Sequence, residues 1–245
     1  MKAMILAAGL GTRLRPLTSD RPKALVELAG RTLLEITLAR LQLAGVTEAI
    51  LNSHHFSGLI EDFLRVHTPP GLHIEISPEP ILLDTGGGLK NAAWFFNDNQ
   101  PFILHNVDIL STIDLAAMLR FHTEHRALTT LAVQMRPTSR HLLFDEEGHL
   151  CGRRNATTGA SELVRPSPLP QALAFSGIHI ISPGIFPLLT ESGTFSIIDA
   201  YLRLASEGHT IAAFPADNAY WRDLGRPEHI AQAESDISSG LYPST

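Results

Sequence analysis

Residues 7–25, AAGLGTRLRPLTSDRPKAL, set two glycines, Gly9 and Gly11, ahead of four cations, Arg13, Arg15, Arg21 and Lys23. The chain has 245 residues and a formal net charge of −6, yet residues 1–30 carry five Lys/Arg against two acids, so this stretch is +3 and the remainder −9. Positive charge gathered beside a glycine turn is suited to an anion. Glycine lets backbone approach a ligand closely, and successive amides form an anion-binding concavity. Arg13 can grip phosphate oxygens in bidentate fashion, while Lys23 is a compact point charge. Two phosphate loops are excluded by spacing: GxGxxG needs a glycine where Leu14 stands, and GxxxxGK[ST] has no counterpart here.

These residues need elements to hold them. Residues 3–7 (AMILA) read as a buried strand that delivers AAGLGTR to its carboxyl end, where ligands bind in open α/β sheets. Residues 32–44 predict a largely buried helix ended by Gly45. Strands follow at 48–52 and 73–77 around an amphipathic helix at 57–66. Residues 88–96 read as a helix that the glycine run DTGGG (84–88) precedes, and 101–108 as a strand ending in an acid. The alternation implies an α/β fold, a parallel sheet with helices on both faces. The second half changes rhythm, with helices at 113–125, 196–206 and 227–237 and strands at 128–135, 172–181 and 211–214. Residues 136–170 are polar and predict a hairpin around 145–150 and a loose loop; SSGLYPST (238–245) reads as a frayed tail. With no repeat and no long linker, one domain over 1–245 is expected.

Composition narrows the function. At 44% hydrophobic the chain can bury a sizeable core, and no apolar run is long enough for a membrane span. The acidic balance argues against broad nucleic-acid binding and suits a small polyphosphate at a local basic loop. A single cysteine, Cys151, excludes an internal disulfide and fits a reducing cytoplasm; nothing marks it as reactive. Among twelve histidines, His122 and His125 share a helix and His54 and His55 are adjacent, but no HExxH pattern or cysteine joins them, so they read as surface histidines.

Residues 4–28, MILAAGLGTRLRPLTSDRPKALVEL, closely resemble the signature of the sugar-1-phosphate nucleotidylyltransferases, and the likeness runs on through LDTGGGLKNA (83–92), NVD (106–108), FSGIHI (175–180) and YWRDLG (220–225). The resemblance implies a Rossmann-like, mixed and mainly parallel sheet flanked by helices, with a smaller sugar-binding lobe. Residues 1–110 would mainly bind nucleotide, 111–226 mainly sugar, and 227–245 form a closing helix and tail. It implies an enzyme that joins a nucleoside triphosphate to a sugar 1-phosphate and releases pyrophosphate. Arg13 would hold the departing phosphates and Lys23 neutralise charge at the α-phosphate or the incoming sugar phosphate. Mg2+ would bridge the phosphates, held by Asp108 and Asp223. Nucleotide contacts are expected from Ala7, Ala8, Gly9, Gly11, Thr12, Asp84, Gly86, Gly87 and Asn106, and sugar contacts from Thr85, Ser176 and Gly177. Arg165, in VRP (164–166), is offered to the sugar phosphate. Read without the resemblance, alternatives stay open: capping or turn roles for Asp108 and Asp223, a flexible turn at DTGGG, a strand bulge at Gly177.

Val107 stands where many members have glycine, which is expected to affect ribose or sugar contacts. Within the family, an acid followed by TGGG looks like the N-acetylmuramic acid α-1-phosphate uridylyltransferases, compact enzymes of peptidoglycan recycling. Guanylyl transfer to mannose or heptose 1-phosphate, cytidylyl transfer to a phosphorylated amino-alcohol, and a non-catalytic nucleotide-sugar-binding regulator are the other readings. The expected partners are the two small substrates, with no nucleic acid or membrane; a monomer and a small homo-oligomer are equally admissible.

Overall fold

Lys2 to Ile5 are all buried and alternate between the two faces of a sheet, Met4 packing in one apolar cluster and Ala3 and Ile5 in another. This is strand β1 (Lys2–Leu6). The computed structural model describes residues 1–243; Ser244 and Thr245, the end of the stretch read as a frayed tail, lie outside the described residues. After β1, two 3-10 turns (Thr12–Leu14, Lys23–Leu25) lead to a short ladder of β2 (Glu27–Leu28) and β3 (Arg31–Thr32). Helix α1 (Leu33–Leu43) begins with a capping box, Thr32 Oγ1 accepting from the Glu35 amide while the Glu35 carboxylate accepts from the Thr32 amide. Then come β4 (Glu48–Ser53), α2 (Ser57–His67), β5 (His73–Pro78), α3 (Asp84–Asn91), β6 (Phe102–Asn106) and β7 (Ile109–Ser111). The second half holds α4 (Leu115–Glu124), β8 (Thr129–Gln134), β9 (Arg140–Phe144), β10 (Leu150–Asn155), β11 (Ser161–Leu163), β12 (Gln171–Ile181), α5 (Ile197–Ser206), β13 (Ile211–Pro215), β14 (Trp221–Asp223) and α6 (Pro227–Ser238).

Strands β6-β1-β4-β5 pair in parallel, as the alternation of strand and helix requires, and β12 pairs antiparallel to β6. The long β12 continues into the antiparallel β9-β10-β11 extension and also carries β8, which pairs in parallel with β13. The architecture is the expected mixed sheet, parallel through the first half, with flanking helices. The hairpin expected near 145–150 joins β9 to β10, and part of the loose loop is the third strand β11.

Three expectations are corrected. The glycine run does not precede a helix; it forms the body of α3, because Gly86 and Gly87 pack against the segment at 193–195 and that contact outweighs glycine's poor helix propensity. His122 is not on the surface; it is 1% exposed between Thr130 and Ser182, hydrogen-bonded to both hydroxyls. The tail is not frayed at Tyr242, which is buried in a third cluster with Leu14, Val26, Leu28, Leu33, Leu110, Leu224, Ile230 and Ala233. That cluster clamps the opening loop, through Leu14 and Val26, to β7, to Leu224 just after β14, and to α6. No helix among the described residues is long and apolar enough to cross a membrane.

Candidate active site

The opening loop leaves the carboxyl end of β1 between β4 and β6, and its course is set by side chains on both neighbours. Asn52, at the end of β4, accepts hydrogen bonds from the amides of Ala7 (2.7 Å) and Ala8 (3.3 Å) through one oxygen. Its Nδ2 donates to Glu79 at 2.7 Å, and the other Glu79 oxygen accepts from the Leu83 amide at the start of α3. Asn52 and Glu79 are each 3% exposed, so this relay is a fully satisfied buried network tying the loop to α3. Neither was singled out from the sequence. The available signal was a polar residue closing a buried strand and an acid between two prolines, Pro78 and Pro80. Gly11 sits at φ 63, where a side chain would meet Thr18 at 2.9 Å, so glycine is required there by the turn itself. At Gly9 nothing lies within 4 Å of where a side chain would start, so no protein neighbour demands its smallness.

A cleft of about 350 Å³ opens above this loop. Ala7, Ala8, Gly9, Lys23, Glu79, Asp84, Thr85, Asn106, Val107 and Asp108 all contribute to its walls. The ammonium of Lys23 pairs directly with the Asp108 carboxylate, the two side chains 13% and 14% exposed. Beside them the Leu224 amide donates to the Asp108 carbonyl at 2.8 Å, and Asp223 lies opposite Ile109 in the β14–β7 ladder. The fold thus brings Asp108 and Asp223, 115 positions apart, onto neighbouring rungs. The Asp223 carboxylate accepts from the Gly225 amide at 2.6 Å, and Arg13 lies over the same backbone: a Cβ on Gly225 would stand 2.8 Å from its guanidinium. Strand β14 is itself held by α6, whose buried Asp236 accepts from Tyr220, Gln232 and Arg222; these bonds keep its carboxyl below the usual range.

Not every expected contact faces the cleft. Gly11, Thr12 and Arg13 stand outside its lining, at the loop's outer turn. Gly86 and Gly87 face protein, not ligand: Cβ atoms there would fall 2.3 Å from the Phe195 ring and 2.5 Å from the Gly193 carbonyl oxygen. Thr85, expected as a sugar contact, lines this first cleft, and its hydroxyl caps α5 by accepting from the Ile197 amide. Val107 is 3% exposed and packs in the cluster beneath the sheet, so the valine side chain is taken up by the core.

A second cleft of about 610 Å³ adjoins the first, Asn106 lining both. Gly177 lines it at φ 75, at a register shift in β12. Ser176 does not: it is wholly buried, and its carbonyl accepts from Trp221 Nε1. Arg165 lies beyond β11 with its amide on the Cys151 carbonyl and lines neither cleft. The cations that do line the second cleft are Arg136, Arg140, Arg153 and Arg154, residues the sequence reading passed over because they sit in a stretch read only as a polar hairpin and loose loop. Arg136 stacks 3.4 Å over Trp221 and donates to the Phe175 carbonyl; burial pulls its pKa down to about 10. Below the junction, burial holds His105 neutral, its pKa lowered to about 3, and its Nδ1 bonds the Asn106 carbonyl.

Among the described residues no three His, Cys, Asp or Glu side chains gather as a metal cage. Asp108 lines the first cleft and Asp223 the second; their carboxylates are hard-oxygen donors, the ligand type that would suit a magnesium ion completed by phosphate oxygens and water.

Comparison with known proteins agrees with this geometry. The family model described as nucleotidyl transferase matches residues 2–240. The chain is 33% identical over 245 residues to N-acetylmuramate alpha-1-phosphate uridylyltransferase of Caulobacter vibrioides, covering 96% of each chain. It is 30% identical to mannose-1-phosphate guanylyltransferase of Mycobacterium tuberculosis, covering 99% of this chain and 66% of that one. Its fold matches UDP-glucose pyrophosphorylase from Acinetobacter baumanii with a TM-score of 0.80 at 19% identity, over 96% of this chain and 92% of the other. With a family model over nearly the whole chain and relatives of 30% and 33% identity, the chain belongs to the nucleotidyl transferase family as a sugar-1-phosphate nucleotidyltransferase.

Proposed function

We propose that the chain transfers a uridylyl group from UTP to N-acetylmuramic acid α-1-phosphate, giving the nucleotide sugar and pyrophosphate. The observation that carries the transfer is the Lys23–Asp108 pair in the first cleft, which shares Asn106 with the second. The first cleft takes the nucleotide, with the Asn52-held loop against its phosphates and room at Gly9 for close approach. The second takes the sugar phosphate. An oxygen of the sugar phosphate attacks the α-phosphorus, the bond to the β-phosphate oxygen breaks, and pyrophosphate leaves with the electron pair. Both reactants are anions, so the protein's work is positioning and charge neutralisation. Lys23 neutralises the α-phosphate, Arg13 meets the departing phosphates at the loop's outer turn, and Arg136 approaches the sugar phosphate. Asp108 and Asp223 would hold Mg2+, which screens the repulsion between the phosphates when bound.

The choice of base and sugar is supported by an end-to-end match at 33% identity to a uridylyltransferase of the same compact length. Peptidoglycan recycling in a reducing cytoplasm is the corresponding setting. The guanylyl reading is favoured by one observation, the 30% identity to a mannose-1-phosphate enzyme. Pyrophosphate release from the four common triphosphates against a panel of sugar 1-phosphates, with magnesium, separates them. UTP with N-acetylmuramic acid 1-phosphate is the expected pair; GTP with mannose 1-phosphate establishes the alternative, and binding without turnover in any combination makes the chain a sensor.

A further inference from the structure

The four arginines of the second cleft differ in how far the protein itself neutralises them. Arg153 is neutralised within the protein, pairing with Glu162 and with Asp199. Arg154 shares its rung with His141 and Ser161, so it faces the other side of the hairpin from Arg140 and Arg153, and its Nε donates to the Ser161 hydroxyl. Two cations remain. Arg136 lies at the inner end, stacked on Trp221 beside Asp223, with its Nε buried and unpartnered. Arg140 begins β9, opposite Asn155, and makes no side-chain hydrogen bond or ion pair among the described residues.

One phosphate at the reacting end accounts for Arg136. It leaves Arg140 without an anion on the wall that the body of the sugar must face. A hydroxyl offers a guanidinium an ordinary hydrogen bond, whereas a carboxylate matches its fork with two charge-assisted ones. We propose that Arg140 is a specificity residue that selects a sugar 1-phosphate bearing a second anionic group, a carboxylate, while Arg136 serves the phosphate end. The inference rests on the reading that the second cleft takes the sugar. It adds to that reading the residue that reads the carboxylate of the sugar.

The test uses three acceptors with UTP and magnesium: N-acetylglucosamine 1-phosphate, N-acetylmuramic acid 1-phosphate, and the amide of the latter, which keeps its size and loses its charge. The wild-type chain is expected to favour acid over amide in kcat/KM by about tenfold or more. Arg140→Gln brings that ratio close to one, and Arg140→Lys, which keeps charge without the fork, lies between. A wild-type ratio near one, or a ratio unchanged in Arg140→Gln, overturns the proposal. Should the chain use GTP and mannose 1-phosphate, the uridylyl reading fails separately. The same ratio, measured on mannuronic acid 1-phosphate against mannose 1-phosphate, then decides the role of Arg140: a preference for the acid that Arg140→Gln abolishes upholds it, and no preference ends it.

Discussion

Lys23 and Asp108 are 85 positions apart and meet as a nearly buried pair, which makes them legible to experiment in two ways. Lys23→Ala strands a carboxylate with little access to water, at a cost of about 3 kcal/mol in stability. It also removes the charge proposed to neutralise the α-phosphate, for an expected loss in kcat of about a hundredfold or more. Adding Asp108→Asn removes the stranded charge, so the double variant regains stability in urea denaturation and stays inactive. A Lys23→Ala chain with undiminished kcat would end the assignment. The lysine was legible in the sequence because its spacing from the glycines is unusual. Its partner was legible only as an acid closing a strand, since ion pairing across so long a separation leaves no local trace.

At the scale of elements, two glycines in helices give opposite expectations. Gly58 in α2 has nothing within 4 Å of its missing side chain, so Gly58→Ala is expected to stabilise by about 0.5–1 kcal/mol. A Cβ on Gly86 in α3 would fall 2.3 Å from the Phe195 ring, so Gly86→Ala is expected to destabilise by about 1–3 kcal/mol despite alanine's better propensity. Chemical denaturation of the two variants reads the signs directly; the same sign for both would mean that α3 does not pack as described. The relay from Asn52 to Glu79 acts on an element too, the opening loop. Asn52→Ala removes the shared acceptor of two loop amides, and it is expected to raise KM for the triphosphate about tenfold while changing KM for the sugar phosphate less. An equal rise in both would assign the relay to general stability. DTGGG illustrates why element boundaries were missed here: read locally, three glycines interrupt a helix, and only the loop at 193–195 explains why a helix needs them.

For the whole molecule, three buried histidines set the response to acid. Burial lowers His105 and His179 to about 3 and His122 to about 4, against 6.5 for an exposed imidazole. The unfolded chain therefore takes up protons below about pH 6.5 that the folded chain refuses, and stability falls as pH drops toward 4. Each group contributes at most about 1.4 kcal/mol per pH unit across that window and nothing well above it. Thermal melts from pH 7.5 to 4.5 are expected to show a flat region and then a decline, shallower in His122→Gln, which keeps a hydrogen-bonding side chain between Thr130 and Ser182. A decline as steep in the variant would remove His122 from the account. These histidines read as surface residues in the sequence because imidazole is polar. Their burial depends on partners the local sequence does not display: the Thr130 and Ser182 hydroxyls for His122, the Tyr201 hydroxyl for His179 and the Asn106 carbonyl for His105.

The sequence by itself determined the alternation of strand and helix, the cationic, glycine-turned character of residues 7–25 and the family to which they point. Those are properties of periodicity and local spacing, which a chain carries before it folds. The tertiary structure decided which residues meet: Asn52 with the loop amides, Asp108 with Lys23, Asp223 beside Arg13, and Arg136 and Arg140, not Arg165, along the second cleft. Such meetings follow from sheet order and register. A crossover of parallel strands or a bulge in β12 joins positions a hundred residues apart, and the hydrogen bonds and charges that result have no counterpart in the order of the residues.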